Sequence, residues 1–160
     1  SAMRLTEHFT LLEFTASDAA RRLRIDNTPG STALHALQRL AELMEQVRDV
    51  LGGVPVLISS GYRSAALNAA VGGSATSAHL LGLAADFTAP AFGAPRAICE
   101  ELIAAGLVWD QLILEHPSAE APGGRWVHIG LPQLGKPRRQ ILTAIKRGGK
   151  TRYEIGLVRP

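Results

Sequence analysis

The chain has 160 residues, of which 46% are hydrophobic and 19% charged, and its formal net charge is +3. This composition is that of a globular protein, so it excludes a wholly disordered chain. No apolar run reaches the roughly 18 residues that a membrane span needs, and a single cysteine excludes an intramolecular disulfide. We expect one domain over residues 4–160, acting as a monomer, after a tag remnant within residues 1–3.

The first half of the chain combines turns with two recognisable helices. Ser17 is a suitable N-cap for a short helix over residues 18–23. The clearest helix covers residues 31–51, where apolar side chains recur at spacings of three and four. Gly52 and Gly53 are expected to end it, since glycine is favoured just after a helix.

The rest of the chain alternates short apolar runs with helical patterns. Strands are predicted at 54–60, 83–87, 109–115 and 125–130, and helices at 64–71 and 94–105. The segment 138–146 is ambiguous between strand and helix. Strands separated by helices, with a late run of strands, indicate an α+β fold.

A histidine and an aspartate stand out within the apolar stretch 77–86. His79 and Asp86 flank Gly82, which lets the backbone bend. In a strand over 83–87, Asp86 shares a face with the small Ala84. A carboxylate in an apolar strand is costly unless it is paired or bound to a metal. The spacing therefore fits either a metal site or a buried His–Asp hydrogen bond.

His128 is the best candidate for a third ligand. Alternation along the strand over 125–130 places it on one face with Trp126, and Val127 and Ile129 on the other. Two histidines and a carboxylate would form a catalytic zinc site with one open position. A lone histidine on a strand can equally be structural.

The order of several sequence blocks resembles that of a known family. Ser77-x-His79-x-x-Gly82-x-Ala84-x-Asp86 is followed by Trp126-x-His128 and preceded by the block SGYRS at 60–64. Further similar blocks are EHFTLLEF, NAAVGG, DQLILE, WVHIG and PRRQILT. Together they cover nearly all of residues 5–155. This pattern resembles the zinc D-Ala-D-Ala carboxypeptidases and L-alanyl-D-glutamate endopeptidases, which are cell-wall metallopeptidases with a hedgehog-like fold.

The resemblance implies a fold and a set of roles. The fold would be a small, mostly antiparallel sheet with flanking helices. His79, Asp86 and His128 would bind Zn²⁺. Arg63 would contact a substrate carboxylate or the polarised carbonyl, a role that suits its planar, permanently charged fork; otherwise it is a surface arginine. Ser77 would hydrogen-bond substrate or a ligand, or simply cap a turn.

The position of the general base departs from the family pattern. Many relatives carry an acidic residue three positions before the last histidine, but here that residue is Arg125. Glu115, at the end of the strand over 109–115, is the best substitute, and it should lie at the rim of the site. The alternatives are Glu120, on the following loop, and a Glu115 that only faces solvent. His116 would either stabilise a transition state or face solvent.

Two hypotheses of function follow. The first is a zinc peptidase that hydrolyses peptide bonds in peptidoglycan stem peptides, with Glu115 and Arg63 as catalytic residues. The second is a non-catalytic, zinc-stabilised module that binds cell wall or forms part of a phage particle, which Arg125 favours. The lack of a secretory signal predicts a phage or prophage protein made in the cytoplasm that acts on periplasmic or extracellular cell wall. The basic C-terminal residues fit a solvated face, so we expect no nucleic-acid partner.

Overall fold

A computed structural model describes residues 3–160. Ser1 and Ala2, which belong to the expected tag remnant, lie outside the described residues. The α-helices found in this range are α1 Leu11–Thr15, α2 Asp18–Leu23, α3 Ser31–Val50, α4 Ala65–Ala70 and α5 Pro95–Ala104, with a 3-10 helix at Ala78–Leu81. The strands are β1 Leu57–Ser60, β2 Ala84–Thr88, β3 Gln111–Glu115, β4 Trp126–Gly130, β5 Gln140–Arg147 and β6 Lys150–Ile155.

The strands form one sheet in the order β1-β2-β4-β3-β5-β6. Neighbouring strands are antiparallel except β3 and β5, which pair in parallel. The expected α+β fold with a mostly antiparallel sheet and flanking helices is therefore confirmed. The ambiguous segment 138–146 is mainly strand β5, and its hairpin partner β6 was not anticipated.

The local signals place most elements within a few residues of their observed bounds. The Ser17 hydroxyl caps α2 by accepting a hydrogen bond from the Ala20 N–H, at 3.1 Å. Strand β1 begins at Leu57 rather than residue 54, because Pro55 has no N–H to donate to the ladder. No helix within residues 3–160 combines the length and the apolar character that crossing a bilayer requires.

The two faces of the sheet have different partners. Leu112 and Leu114 of β3 and Val127 and Ile129 of β4 are fully buried, and they belong to a core that also contains residues of α3 and α5. Because side chains alternate along a strand, the intervening residues of the same strands project from the opposite face. That second face carries the polar side chains predicted to form the site.

The backbone at Gly61, just after β1, packs closely against the backbone of α1. The next residue, Tyr62, donates a backbone hydrogen bond from its N–H to the Phe14 carbonyl at 2.7 Å. A Cβ at position 61 would lie 2.5 Å from the same carbonyl oxygen. Only glycine fits here, and the contact fixes the backbone that leads to Arg63.

Gly61→Ala should destabilise the protein by about 1–3 kcal/mol, because a rigid backbone must move to admit the methyl group. Urea unfolding measures the change. Gly93→Ala is the matched control, since Gly93 has no positive φ and a Cβ added there would come no closer than 3.5 Å to a neighbouring atom. Equal losses of stability in the two variants would contradict the close-contact explanation.

Candidate active site

Three elements bring His79, Asp86 and His128 together. Asp86 and His128 are directly opposite each other in the antiparallel pair of β2 and β4. His79 comes from the 3-10 helix, which Gly82 ends in the left-handed conformation with φ 72°. That turn, which glycine adopts without strain, leads directly into β2 and lets His79 face Asp86.

The three side chains form a compact, buried cluster. One potential ligand atom from each residue lies within 4.8 Å of the others. The His128 Nδ1 is 2.9 Å from the Asp86 Oδ1, and the His79 Nε2 is 3.3 Å from the Asp86 Oδ2. Burial opposes ionisation of Asp86, yet the neighbouring histidines hold the pKa of its carboxyl below the usual range. Asp86 is therefore an anion at neutral pH.

The hydrogen bonding of His79 fits a metal ligand. Its Nδ1 lies 2.7 Å from the Gly61 carbonyl oxygen, so this nitrogen carries the proton and donates. The Nε2 then presents a lone pair, and it is buried without a hydrogen-bond partner among residues 3–160. A lone pair facing the Asp86 carboxylate is repulsive unless a cation, either a metal ion or a proton on Nε2, lies between them. Two imidazole nitrogens and a carboxylate are donors that Zn²⁺ accepts.

Arg63 is held beside this cluster. Its Nε donates to the Ser60 hydroxyl at 3.2 Å and its Nη1 to the Asn68 Oδ1 at 2.9 Å. Its Nη2 lies 3.7 Å from the Asp86 Oδ2, and only 16% of its side chain is exposed. Arg63 is therefore part of the site and not a surface arginine.

Asn68 and Gly73 are site residues that the sequence reasoning missed. Asn68 is 4% exposed, and its Nδ2 donates to the Ser74 carbonyl, which fixes the oxygen that receives Arg63. A Cβ on Gly73 would lie 2.1 Å from that same oxygen and 2.8 Å from the Arg63 Nη1. The signal was a polar residue on a short apolar helix followed by paired glycines, in the block NAAVGG.

Glu115 shares the face of the sheet that carries His128. Ile113 is directly opposite His128 in the β3–β4 pair, and Glu115 is two residues further along the strand, opposite Trp126. Glu115 is 8% exposed, so the expectation of a rim position was wrong. Its carboxyl is instead enclosed in the cleft, with the His116 ring 3.9 Å away on one side.

The surroundings of Glu115 favour its neutral form. Burial raises the pKa of its carboxyl to about 7. Electrostatic interactions with His128 and Arg63 oppose this shift, while the Asp86 carboxylate adds to it. A carboxyl that titrates near neutral pH suits a group that must both accept and release a proton.

The backbone of Glu115 is in contact with that of Arg125. The Arg125 N–H donates to the Glu115 carbonyl oxygen at 2.9 Å, so the two residues are neighbours across adjacent strands. Arg125 itself is exposed.

The remaining candidates have different surroundings. The Ser77 hydroxyl accepts a hydrogen bond from the His79 N–H at 3.2 Å, so it caps the turn, and Ser77 also lines the cleft. Glu120 is exposed on the loop after β3 and is not among the cleft-lining residues. His116 lines the cleft and packs edge-on against Trp126, with ring centroids 5.3 Å apart, and so does not simply face solvent.

The three metal-ligand candidates, together with Arg63, Ser77, Glu115 and His116, open onto one cleft of about 830 Å³. The metal-ligand candidates lie over β2 and β4, and Glu115 lies over β3. The floor of the cleft also includes Ile113 and Leu142. The side-chain amides of Gln111 and Gln140, which are hydrogen-bonded to each other, line the cleft beside them. The cleft is large enough for a short peptide, and both its polar and its apolar groups are accessible.

Metal-free Glu115→Gln protein should gain stability relative to the wild type as the pH rises. The pKa of Glu115 is about 7 when folded, against an ordinary value of 4.5. Between these values the folded wild type binds more protons than the unfolded chain, so its free energy of unfolding falls with increasing pH. The total loss is about 3 kcal/mol, because each pKa unit corresponds to roughly 1.4 kcal/mol.

Glutamine cannot ionise, so the variant escapes this loss. Urea unfolding in the presence of a chelator, from about pH 5 to about pH 8, measures the difference between the two proteins. A difference that does not change with pH would show that the folded chain does not raise the Glu115 pKa.

Comparison with known proteins identifies the family. No curated protein matches the chain with significance. The sequence profile of the family described as Peptidase M15 matches residues 7–116. The matched range includes Arg63, His79, Asp86 and Glu115, while His128 lies beyond it. Because the match covers more than half of the chain, this protein belongs to the peptidase M15 family of metallopeptidases.

Proposed function

We propose that residues 4–160 form a monomeric zinc peptidase that hydrolyses peptide bonds in peptidoglycan stem peptides, of the D-Ala-D-Ala carboxypeptidase or L-Ala-D-Glu endopeptidase type. The single observation that carries this proposal is the His79 Nε2, whose lone pair faces the Asp86 carboxylate without a hydrogen-bond partner. The family supports a peptidase, and the resemblance of the sequence blocks supports the cell-wall substrate. Such a substrate places the activity outside the cytoplasm.

The metal would be held by His79, Asp86 and His128. When bound, zinc would lower the pKa of a water molecule and polarise the scissile carbonyl. The Gly61 carbonyl would keep the His79 ring in the orientation that presents Nε2. A hydrogen-bonded partner of this kind typically fixes both the tautomer and the angle of a ligating imidazole.

Glu115 would act as the general base. Its ionised carboxylate takes a proton from the attacking water, and the neutral carboxyl then gives that proton to the nitrogen of the leaving amine. Water is consumed, the peptide C–N bond breaks, and a carboxylate and an amine are released. The pKa of about 7 belongs to the metal-free protein. A bound zinc ion would lower it and so favour the ionised form that accepts the water proton.

Arg63 would hold the substrate at the β1 edge of the cleft. Ser60 and Asn68 occupy its Nε and Nη1, which fixes the guanidinium plane and leaves Nη2 on the side of the cluster. A fixed guanidinium can donate to a substrate carboxylate or to the carbonyl oxygen as negative charge develops there.

The purified protein should contain about one zinc per chain, measured by elemental analysis after dialysis. His79→Ala, Asp86→Ala and His128→Ala should each lose it, because three protein ligands are the minimum for such a site. His35→Ala is the matched control, since His35 is exposed on α3. Full zinc retention in the His128→Ala variant would remove that residue from the ligand set.

Wild-type protein should release peptide fragments from purified peptidoglycan, identified by mass spectrometry. Glu115→Gln should lower this turnover by about 10²–10⁴-fold, the usual contribution of general acid–base catalysis. Its zinc content should not change, because Glu115 is not among the proposed ligands. The exposed Glu120 provides the matched control, and Glu120→Gln should keep full activity.

A second candidate function is a non-catalytic, zinc-stabilised module that binds cell wall. Arg125 favours it, because arginine cannot accept a proton from water at the position where relatives carry their base. The digestion experiment separates the two functions. A zinc-loaded wild type that binds peptidoglycan without releasing fragments would establish the binding module and reject the peptidase.

A further inference from the structure

We propose that Tyr153, on the edge strand β6, forms the wall of the cleft opposite Arg63 and donates a hydrogen bond from its hydroxyl to a carbonyl oxygen of the bound peptide. The inference rests on the proposed function. It concerns a substrate-binding residue that lies outside residues 7–116, the range matched by the family profile.

The strand register places Tyr153 in line with Glu115. Glu115 is directly opposite Ala144 in the β3–β5 pair, and Ala144 is directly opposite Tyr153 in the β5–β6 pair. Directly opposite residues project from the same face of a sheet. The three residues therefore form one row across three strands, on the face that carries the cleft.

The middle residue of this row leaves space for the outer two to approach. Ala144 is fully buried and has only a methyl group, so no large side chain separates Tyr153 from Glu115. Tyr153 lines the same cleft as Glu115 and His128, although 56% of the residue is exposed. A side chain that is both in the cleft and accessible can contact a ligand without any rearrangement.

The hydroxyl of Tyr153 is available as a hydrogen-bond donor. Burial raises the pKa of its phenol, and the negative charges of Glu115 and Asp86 raise it further. Tyr153 lines the same cleft as these two carboxylates. A phenol with a raised pKa stays protonated at neutral pH, and its O–H suits a peptide carbonyl oxygen.

The hairpin that carries Tyr153 is anchored at its base. The Thr143 hydroxyl donates to the Gly156 carbonyl at 2.7 Å and accepts from the Val158 N–H at 3.0 Å. These bonds fix the end of β6 against β5, so Tyr153 is presented from a defined strand rather than a loose tail. Sites built on such elements position their groups more closely than sites on loops.

The position of Tyr153 also defines how a peptide would lie. Arg63 follows β1 at one edge of the sheet, and Tyr153 lies on β6 at the other edge. Asp86, His128 and Glu115 lie between these edges, on β2, β4 and β3, and the 3-10 helix adds His79 beside Asp86. A peptide that crosses the strands would thus be held at both ends, with its scissile bond over the cluster.

The test compares Tyr153→Phe with its parent in zinc-loaded Glu115→Gln protein, which should bind peptide without cleaving it. The probe is a synthetic peptidoglycan stem pentapeptide, and calorimetry gives its Kd. Loss of one neutral hydrogen bond should weaken binding by about 2–10-fold. Thr151→Val is the matched control, since Thr151 lies on the same face of β6 but outside the cleft-lining residues, and its Kd should not change.

The cleaving protein provides a second readout. Tyr153→Phe should raise KM by a similar factor and leave kcat within about twofold, because the bond is made in both the ground state and the transition state. Phenylalanine keeps the ring, so melting temperature and zinc content should match the wild type. If Tyr153→Phe leaves both Kd and KM equal to those of the parent proteins, Tyr153 does not bind the peptide. The proposed peptidase activity would be unaffected by that result. If the wild-type protein binds the peptide without ever cleaving it, and Tyr153→Phe weakens that binding, the role of Tyr153 is supported and the peptidase is rejected.

Discussion

The buried carboxylate of Asp86 is the constraint on which the rest of the site depends. It lies 2.9 Å from the His128 Nδ1 and 3.3 Å from the His79 Nε2, almost out of contact with water. The Gly61 carbonyl fixes the His79 proton on the far nitrogen, so a lone pair and an anion face each other. A cation between the groups, either a metal ion or a proton on Nε2, removes this repulsion, so a bound metal ion would stabilise this region.

The same strands build the core and the cleft because side chains alternate along them. Leu112 and Leu114 pack against the helices, while Ile113 and Glu115 line the opposite face. A change in register by one residue would bury the charged groups and expose the apolar ones. Core packing therefore specifies the geometry of the site, and the site could not shift along β3 without loss of the core.

Close contacts between backbone segments fix the positions of the proposed substrate-binding side chains. Gly61 packs against the Phe14 carbonyl, and Gly73 leaves room for the contact between Asn68 and Arg63. Asn68 and Gly73 thus have the evident role of orienting Arg63, while Gly61 positions the backbone before Arg63 and also contacts His79 through its carbonyl. On the other edge, the small Ala144 lets Tyr153 share the row that contains Glu115. In both cases a small residue is what allows a larger side chain to reach the cleft.

The sequence by itself determined the α+β class, the bounds of α2 and α3 and the choice of His79, Asp86 and His128, because these follow from local periodicity, capping and an ordered set of motifs. It left β5 ambiguous and missed β6, since a strand at the edge of a sheet is specified by its pairing partner rather than by its own pattern. Only the tertiary structure decided that Glu115 is buried, that Asn68 holds Arg63 and that Tyr153 faces the cleft. These three features depend on contacts between residues far apart in the chain, or on the desolvation that such contacts cause. The spacing of residues along one strand predicts neither the contacts nor the desolvation.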